Sequence, residues 1–184
     1  MQLQTASKLA EKILATMRPF CQRAEIAGSI RREKPEVKDI EIVAIPAYGQ
    51  PKDLFGEEPA NLLYEWAIQM QREGRIQWIK PGTSEIIPWP VKADGRYWRG
   101  LVVKGGIKLD LFLTTPETWG ATYLIRTGSS EFNVRIVGEM ARRAGIQFAE
   151  GKLRDSNWKP LPTPEEIDVF NALGLDYIEP KDRK

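Results

Sequence analysis

Apolar residues recur along this chain at two periods, and the points where the period changes mark off its elements. From Thr5 to Met17 the residues Leu9, Ile13 and Met17 fall at helical spacing and stop before Pro19, which predicts a first helix. Glu25 to Ala27 reads as a short strand entering a turn at Gly28. Val37 to Ile45 reads as a strand, and side chains alternate across a strand, so Asp39 and Glu41 share one face while Ile40 and Ile42 share the other. A loop rich in Pro and Gly then leads to a helix over Ala60 to Gln71, ended by Gly74. Ile76 to Lys80 and Tyr97 to Val103 read as strands framing a loop with Pro81, Pro88 and Pro90. Val102 to Leu113 reads as a hairpin turned by Gly105-Gly106. Within IKLDLFL the alternation predicts Leu109, Leu111 and Leu113 buried and Lys108, Asp110 and Phe112 outward, so that a neighbouring strand would bring Asp110 beside the acidic pair.

From Pro116 the pattern turns helical. It predicts a short helix through Ile125, a Thr-Gly-Ser turn, and a longer helix capped by Ser129 or Ser130 and ended at Gly145. Thr163-Pro164-Glu165-Glu166 reads as a capping box that opens a helix ending at Gly174. The tail is expected to be ordered to about Tyr177 and to fray beyond it. The order of elements predicts an α+β fold in which a mixed sheet with helices behind it carries a small helical C-terminal subdomain.

Composition narrows the classes. The 184 residues suit one domain or two small lobes sharing a core, and 42% hydrophobic content is enough to bury one. No apolar run reaches membrane-span length, and the amphipathic N-terminus lacks a signal peptide's hydrophobic core, so the expectation is a soluble intracellular protein that meets no membrane. Cys21 is single, which rules out an intrachain disulfide, and the sequence has no His, which excludes histidine acid–base catalysis and zinc sites. A net charge of +2 is only mildly basic, so nucleic acid would be held by local clusters such as Arg31, Arg32, Lys34 and Arg142, Arg143, with salt-sensitive affinity.

The candidate chemistry lies in AEIAGSIRREKPEVKDIEIVAIP and in GIKLDLFL. Attack of a hydroxyl on a nucleotide α-phosphorus uses two divalent cations to stabilise the attacking and leaving oxygens, and hard cations take carboxylates. Asp39, Glu41 and Asp110 supply three, and such a set repels itself unless cations neutralise it. Gly28 permits a tight turn, Ser29 offers a hydroxyl and an amide, and Arg31 and Arg32 offer guanidinium forks suited to phosphate oxygens. An Asp-x-Glu pair alone is more often a solvated strand face, and Gly-Ser-x-Arg-Arg alone an ordinary turn. The combination, in this order, is more specific than either.

These residues resemble the Gly-Ser and carboxylate signature of the polymerase-beta-type nucleotidyltransferase superfamily. The stretch DLFLTTPETWGATYLIRTGSSEFNVRIVGEMARRAGIQF, with PTPEEIDVFNALGLDYIEPKDR, is similar to the late palm and thumb of family X DNA polymerases. The resemblance runs from about Leu9 to Arg183 and is weakest between Tyr48 and Gly100. It implies a nucleotidyltransferase palm over residues 1–115 and a thumb over 116–184, with Asp39, Glu41 and Asp110 as the catalytic, metal-binding triad for Mg²⁺ or Mn²⁺. It further implies that Gly28, Ser29 and Arg32 hold the triphosphate, that Gly128 passes close to the incoming sugar, and that Asn133 reaches the incoming base. Arg31, Lys108 and Arg126 are further expected contacts to DNA or nucleotide.

Three departures qualify the resemblance. Glu41 stands where the family usually has Asp; Ile125 and Arg126 stand where it commonly carries an aromatic pair near the sugar; and no room ahead of Gly28 is expected for the N-terminal DNA-gripping domains, so lyase activity is not expected. The expected activity is therefore low-processivity addition of deoxynucleoside monophosphates to a DNA primer 3′ hydroxyl, in repair or short gap filling, by a monomer working in cytoplasm, nucleoid or a viral replication site. Two alternatives stay open: untemplated transfer to RNA, protein or a small molecule, and a nucleotide-binding or nucleic-acid-binding module without catalysis. Of the 6 Trp, Trp66 and Trp119 are expected in the core, while Trp89 and Trp98 are candidates for stacking on a base. Asp94 and Glu85 read as solvated loop acids.

Overall fold

The computed structural model describes residues 1–50, 59–88, 92–149 and 151–184. Helix α1 (Leu3–Met17) buries Ala6, Ala10, Ile13, Leu14 and Met17, an i, i+4, i+7, i+8, i+11 stripe, and it passes at Pro19 into a 3₁₀ turn over Arg18–Phe20. It begins two residues earlier than Thr5 because Leu3 N–H bonds to the Pro35 carbonyl (3.0 Å), tying the segment down. Strand β1 (Cys21–Ile26) leads to a single helical turn, α2 (Gly28–Arg31), and then to β2 (Asp39–Pro46). A small antiparallel pair, β3 (Tyr48–Gly49) with β4 (Ala60–Asn61), precedes α3 (Leu62–Arg72), whose first turn is capped by Asn61 accepting from Tyr64 N–H at 3.2 Å. Strands β5 (Ile76–Ile79), β6 (Ile86–Ile87), β7 (Tyr97–Val102) and β8 (Ile107–Leu113) complete the main sheet.

The strands join in the order β1-β2-β8-β7-β5-β6, with β2 and β8 parallel and the other neighbours antiparallel. The expected hairpin is present: Val102 pairs with Ile107 across a turn in which Gly106 has φ +58°. One face of the sheet presents Ile40, Ile42, Leu109, Leu111, Trp78 and Trp98 to α1 and α3. Trp98 is 2% exposed, packs edge-on against Trp78 and Tyr64, and donates its ring N–H to the Lys92 carbonyl, so it is a core residue rather than a stacking platform. Trp89 lies outside the described residues. Trp66 and Trp119 are buried, as their positions predict.

The opposite face differs from the sequence reading. Phe112 is buried with Val43, Ile45, Ala27 and Trp119 rather than facing solvent, because α4 (Trp119–Thr127) lies across the C-terminal half of β2 and β8. Alternation places residues correctly on the two faces but does not reveal that a later helix covers half of the second one.

Beyond α4 come α5 (Ser130–Asn133), a π-helical run over Val134–Met140 and α6 (Ala141–Arg143), then β9 (Gln147–Ala149), β10 (Lys152–Arg154) and β11 (Pro160–Leu161), which form an antiparallel sheet that the polar pattern of this stretch did not predict. Ser129 caps α5 by accepting from Phe132 N–H (3.0 Å), as expected. Helix α7 (Glu166–Leu173) starts later than the Thr163 capping box implies, with Glu165 as its cap and Asp168 as the reciprocal partner. Thr163 is occupied elsewhere: its N–H bonds to Glu117 O (2.8 Å) and its carbonyl accepts from Gly120 N–H (2.7 Å). The lobe has its own core of Ala121, Leu124, Phe132, Ile136, Leu153, Val169, Phe170 and Leu173.

The tail does not fray at Tyr177. Arg183 is 0% exposed and its guanidinium donates to Glu166 at 2.6 and 3.3 Å and to the Ile178 carbonyl at 2.9 Å. The other side of the same carboxylate receives Arg31 at 2.7 and 2.6 Å, so Glu166 sits between two guanidinium groups and joins the tail and α7 to α2. Burial alone would raise the Glu166 carboxyl, but the Arg31 and Arg183 hydrogen bonds hold it below the ordinary carboxylate value. Glu166→Gln leaves two cations without their anion and is expected to cost about 3 kcal/mol in urea unfolding at pH 7. Because the folded value is depressed, that difference should persist above the unfolded carboxylate value and shrink as pH falls through the folded one; a cost below about 1 kcal/mol at pH 7 would show the pairing to be marginal.

Candidate active site

The face that α4 leaves uncovered carries the acidic residues. In β2 the odd-numbered side chains share that face: Val43 and Ile45 lie under α4, and Asp39 and Glu41 lie toward the N-terminal end of the strand. The parallel register with β8 sets Glu41 opposite Asp110 and Asp39 opposite Lys108, and the antiparallel register with β7 sets Asp110 opposite Arg99 and Phe112 opposite Tyr97. Glu41, Asp110 and Arg99 therefore form one rung across three strands.

Their electrostatics follow from crowding. Burial, then the charges of Asp39 and Asp110, push the Glu41 carboxyl up to about 7, against the opposing fields of Arg32 and Arg126. Burial, and then Asp110, raises Asp39 above its ordinary value as well. Asp110, only 4% exposed, has its neutralising partners in place: Arg99 donates from Nε to Oδ1 (2.7 Å) and from Nη2 to Oδ2 (2.9 Å), and the Tyr97 hydroxyl donates to Oδ1 (2.7 Å). Burial, followed by that hydrogen bond, drives the Tyr97 phenol well above its usual value, so it stays a donor. Its ring stacks on Phe112 with centroids 5.0 Å apart.

Beside the carboxylates stands the α2 turn. Gly28 has φ +62°, and a Cβ there would lie 1.9 Å from Glu41 Oε2, so this position is closed to a side chain by both backbone and contact. Ala27 N–H bonds to the Glu41 carbonyl (2.8 Å), which locks the turn to β2. Among the described residues, Ser29 Oγ and Arg32 Nε are buried without a hydrogen-bond partner. Arg32 Nη1 donates to the Thr127 carbonyl, and Arg31 donates to Thr127 Oγ1 (2.8 Å) as well as to Glu166 while lying 3.8 Å over the Tyr123 ring. Arg31 is thus engaged with the C-terminal lobe, whereas Ser29 and Arg32 keep polar groups in reserve.

Other predicted residues are distributed as follows. Arg126 lies 3.9 Å over the Phe112 ring; burial holds its guanidinium below the ordinary value, against the fields of Glu41, Tyr97 and Asp110, which place it next to the acids. Asn133 donates to the Ile125 carbonyl (2.9 Å), and its buried Oδ1 has no partner and faces Gly128, where a Cβ would lie 2.5 Å away. Lys108 is exposed, and Arg142 and Arg143 lie on the surface of α6. Glu85 meets Lys80 at 3.5 Å on the surface. Cys21 is half-buried, and burial pushes its thiol up to about 12.

Sequence reasoning missed Arg99 and Tyr97. The signal was present: once Val102 faces Ile107, counting back along the hairpin brings Arg99 to Asp110. Among the described residues no three acidic, Cys or His side chains already converge as a cation cage. The donor chemistry of Asp39 and Glu41, whose carboxyls are raised first by burial and then by neighbouring acids, fits a hard divalent ion, while Arg99 and Tyr97 already occupy both oxygens of Asp110.

Residues 122–184 match the family model described as DNA polymerase beta thumb. DNA polymerase lambda of Rattus norvegicus is 34% identical over 87 residues, covering 41% of this chain, and the match spans about 15% of that relative's length. Residues 122–184, which begin within α4 and run to Lys184, are thus similar to the DNA polymerase beta thumb, and the chain spans only a small part of the length of the relative it matches. No helix among the described residues is long and apolar enough to cross a membrane.

The Glu41 value generates a signed prediction for the metal-free protein in EDTA. A carboxyl raised by folding favours the folded state only while protonated, so wild type and Glu41→Gln should differ little near pH 4. The variant should gain as pH rises toward and past 7, by roughly 3 kcal/mol at pH 8 in urea unfolding. A difference that does not change with pH would contradict the crowding.

Proposed function

We propose that the chain is the palm and thumb of a family X nucleotidyltransferase that adds nucleoside monophosphates to a primer 3′ hydroxyl and releases pyrophosphate, with residues 1–115 as palm and 116–184 as thumb. The observation that supports this most is the rung of Glu41 opposite Asp110, with Asp39 on the same face, beside a turn whose Ser29 Oγ and Arg32 Nε are buried and unpartnered. Two Mg²⁺ ions, when bound, supply neutralisation of the attacking and leaving oxygens. Asp39, Glu41 and Asp110 would hold them. Ser29 and Arg32 receive the triphosphate, consistent with their spare donors. Asp110 is the residue to accept the primer hydroxyl proton. Gly128, and Asn133 if its buried amide turns outward, would meet the nucleotide from the thumb side, and Arg126, over Phe112, would take the place of an aromatic sugar gate. A DNA primer is the favoured acceptor because the thumb match is to DNA polymerases, and short, low-processivity additions are expected.

A second reading, nucleotide binding without turnover, is favoured by one observation: both Asp110 oxygens are already engaged. Extension of an end-labelled primer, alone or on a gapped template, with each nucleotide singly in Mg²⁺ or Mn²⁺ separates the two. Template-matched addition that falls about a hundredfold or more in Asp110→Asn supports the polymerase. Nucleotide binding with no extension, unaffected by Asp110→Asn, supports the binding module.

A further inference from the structure

The side chain that neutralises Asp110 is contributed by the chain itself. Arg99 reaches across one rung of the β7–β8 pair and places two N–H groups on the two carboxylate oxygens, and Tyr97, two residues earlier on the same face, fills a further lone pair of Oδ1. The fork takes one direction on each oxygen, those a cation bound by both oxygens would use, and with Tyr97 it leaves one lone pair of Oδ2 open. Among the described residues, Asp39 and Glu41 have no comparable ion pair. The Arg99 side chain is 29% exposed whereas that of Asp110 is 6% exposed, so the arginine is the partner with access to solvent. The arrangement is asymmetric: the partner that can leave is the arginine.

We propose that Arg99 is a counter-cation built into the site, which a divalent ion must displace from Asp110 before all three carboxylates can share it. This rests on the nucleotidyltransferase reading of the same acids, and it makes the third ligand conditional where Asp39 and Glu41 are standing donors. Arg99 is a positioning residue in this scheme. It holds Asp110 in its rotamer, prevents Glu41 and Asp110 from repelling one another in the empty site, and sets the cation concentration at which the site fills. Tyr97 assists as a neutral donor, anchored by its stack on Phe112.

The test is direct binding of Mn²⁺ to the full chain, without nucleotide or DNA, followed by the electron paramagnetic resonance signal of the free ion. Arg99→Met keeps the length of the side chain and removes the fork, and it is expected to bind Mn²⁺ about tenfold more tightly than wild type. In Arg99→Met with Asp110→Asn that gain should vanish. Tyr97→Phe, which retains the ring stack, should give a smaller gain in the same direction and serves if Arg99→Met fails to fold. Unchanged or weaker binding in Arg99→Met and in Tyr97→Phe overturns the proposal and leaves the nucleotidyltransferase reading to the primer assay. Absence of binding in wild type and in every variant at millimolar Mn²⁺ overturns the proposal and the metal site together.

Discussion

Two carboxylates, Glu41 and Asp110, stand opposite one another on paired parallel strands, and Asp39 lies on the same face of β2. Like charges so placed, partly removed from water, disfavour the folded state unless something offsets them. The surrounding structure meets that demand unevenly. Asp110 has the Arg99 fork and the Tyr97 hydroxyl, while Glu41, opposed by the fields of Arg32 and Arg126, is pushed up to about 7 by burial and then by Asp39 and Asp110. Crowded carboxylates beside the buried, unpartnered Ser29 Oγ and Arg32 Nε are the features on which the proposed cation and phosphate sites rest.

The same constraint explains how the C-terminal lobe is attached. If α4 covered the whole face it would bury the acids outright, and it instead stops over Val43, Ile45 and Phe112. Its last turn delivers Arg126 to the acids and Thr127 to Arg31 and Arg32. Glu166 and Arg183 then fix α7 and the tail against α2. The Gly-Ser-x-Arg-Arg turn consequently holds the lobe through Arg31 and through Arg32 Nη1, while Ser29 Oγ and Arg32 Nε lie unpartnered at the candidate phosphate site.

Much of this was legible in the chain. Alternation in DIEIV and IKLDL put the three acids on one face, and Gly105-Gly106 gave the hairpin that carries Asp110. What was not legible depended on contacts distant in sequence. Nothing local in IKLDLFL says that Phe112 will lie beneath α4, nothing in YWRG identifies Arg99 as an ion-pair partner until the register is counted, and a tail reading EPKDRK looks solvated until Arg183 is seen to neutralise a buried Glu166. Thr163 illustrates the same limit on a smaller scale: its type suits a helix cap, but its backbone is taken up by Glu117 and Gly120, and Glu165 caps instead. Local signals place elements and faces, and long-range pairing decides which polar groups remain free.

The central claim is that Asp39, Glu41 and Asp110 become one cation site when Arg99 leaves Asp110. Diffraction at the manganese absorption edge, from crystals grown with Mn²⁺ and a non-hydrolysable nucleoside triphosphate, addresses it most directly. The account predicts an anomalous peak touching oxygens of all three acids, with the Arg99 guanidinium turned away from Asp110 and the triphosphate against Ser29 and Arg32. Bound nucleotide with no peak at the acids, or a peak that leaves the Arg99–Asp110 pair intact, would contradict it.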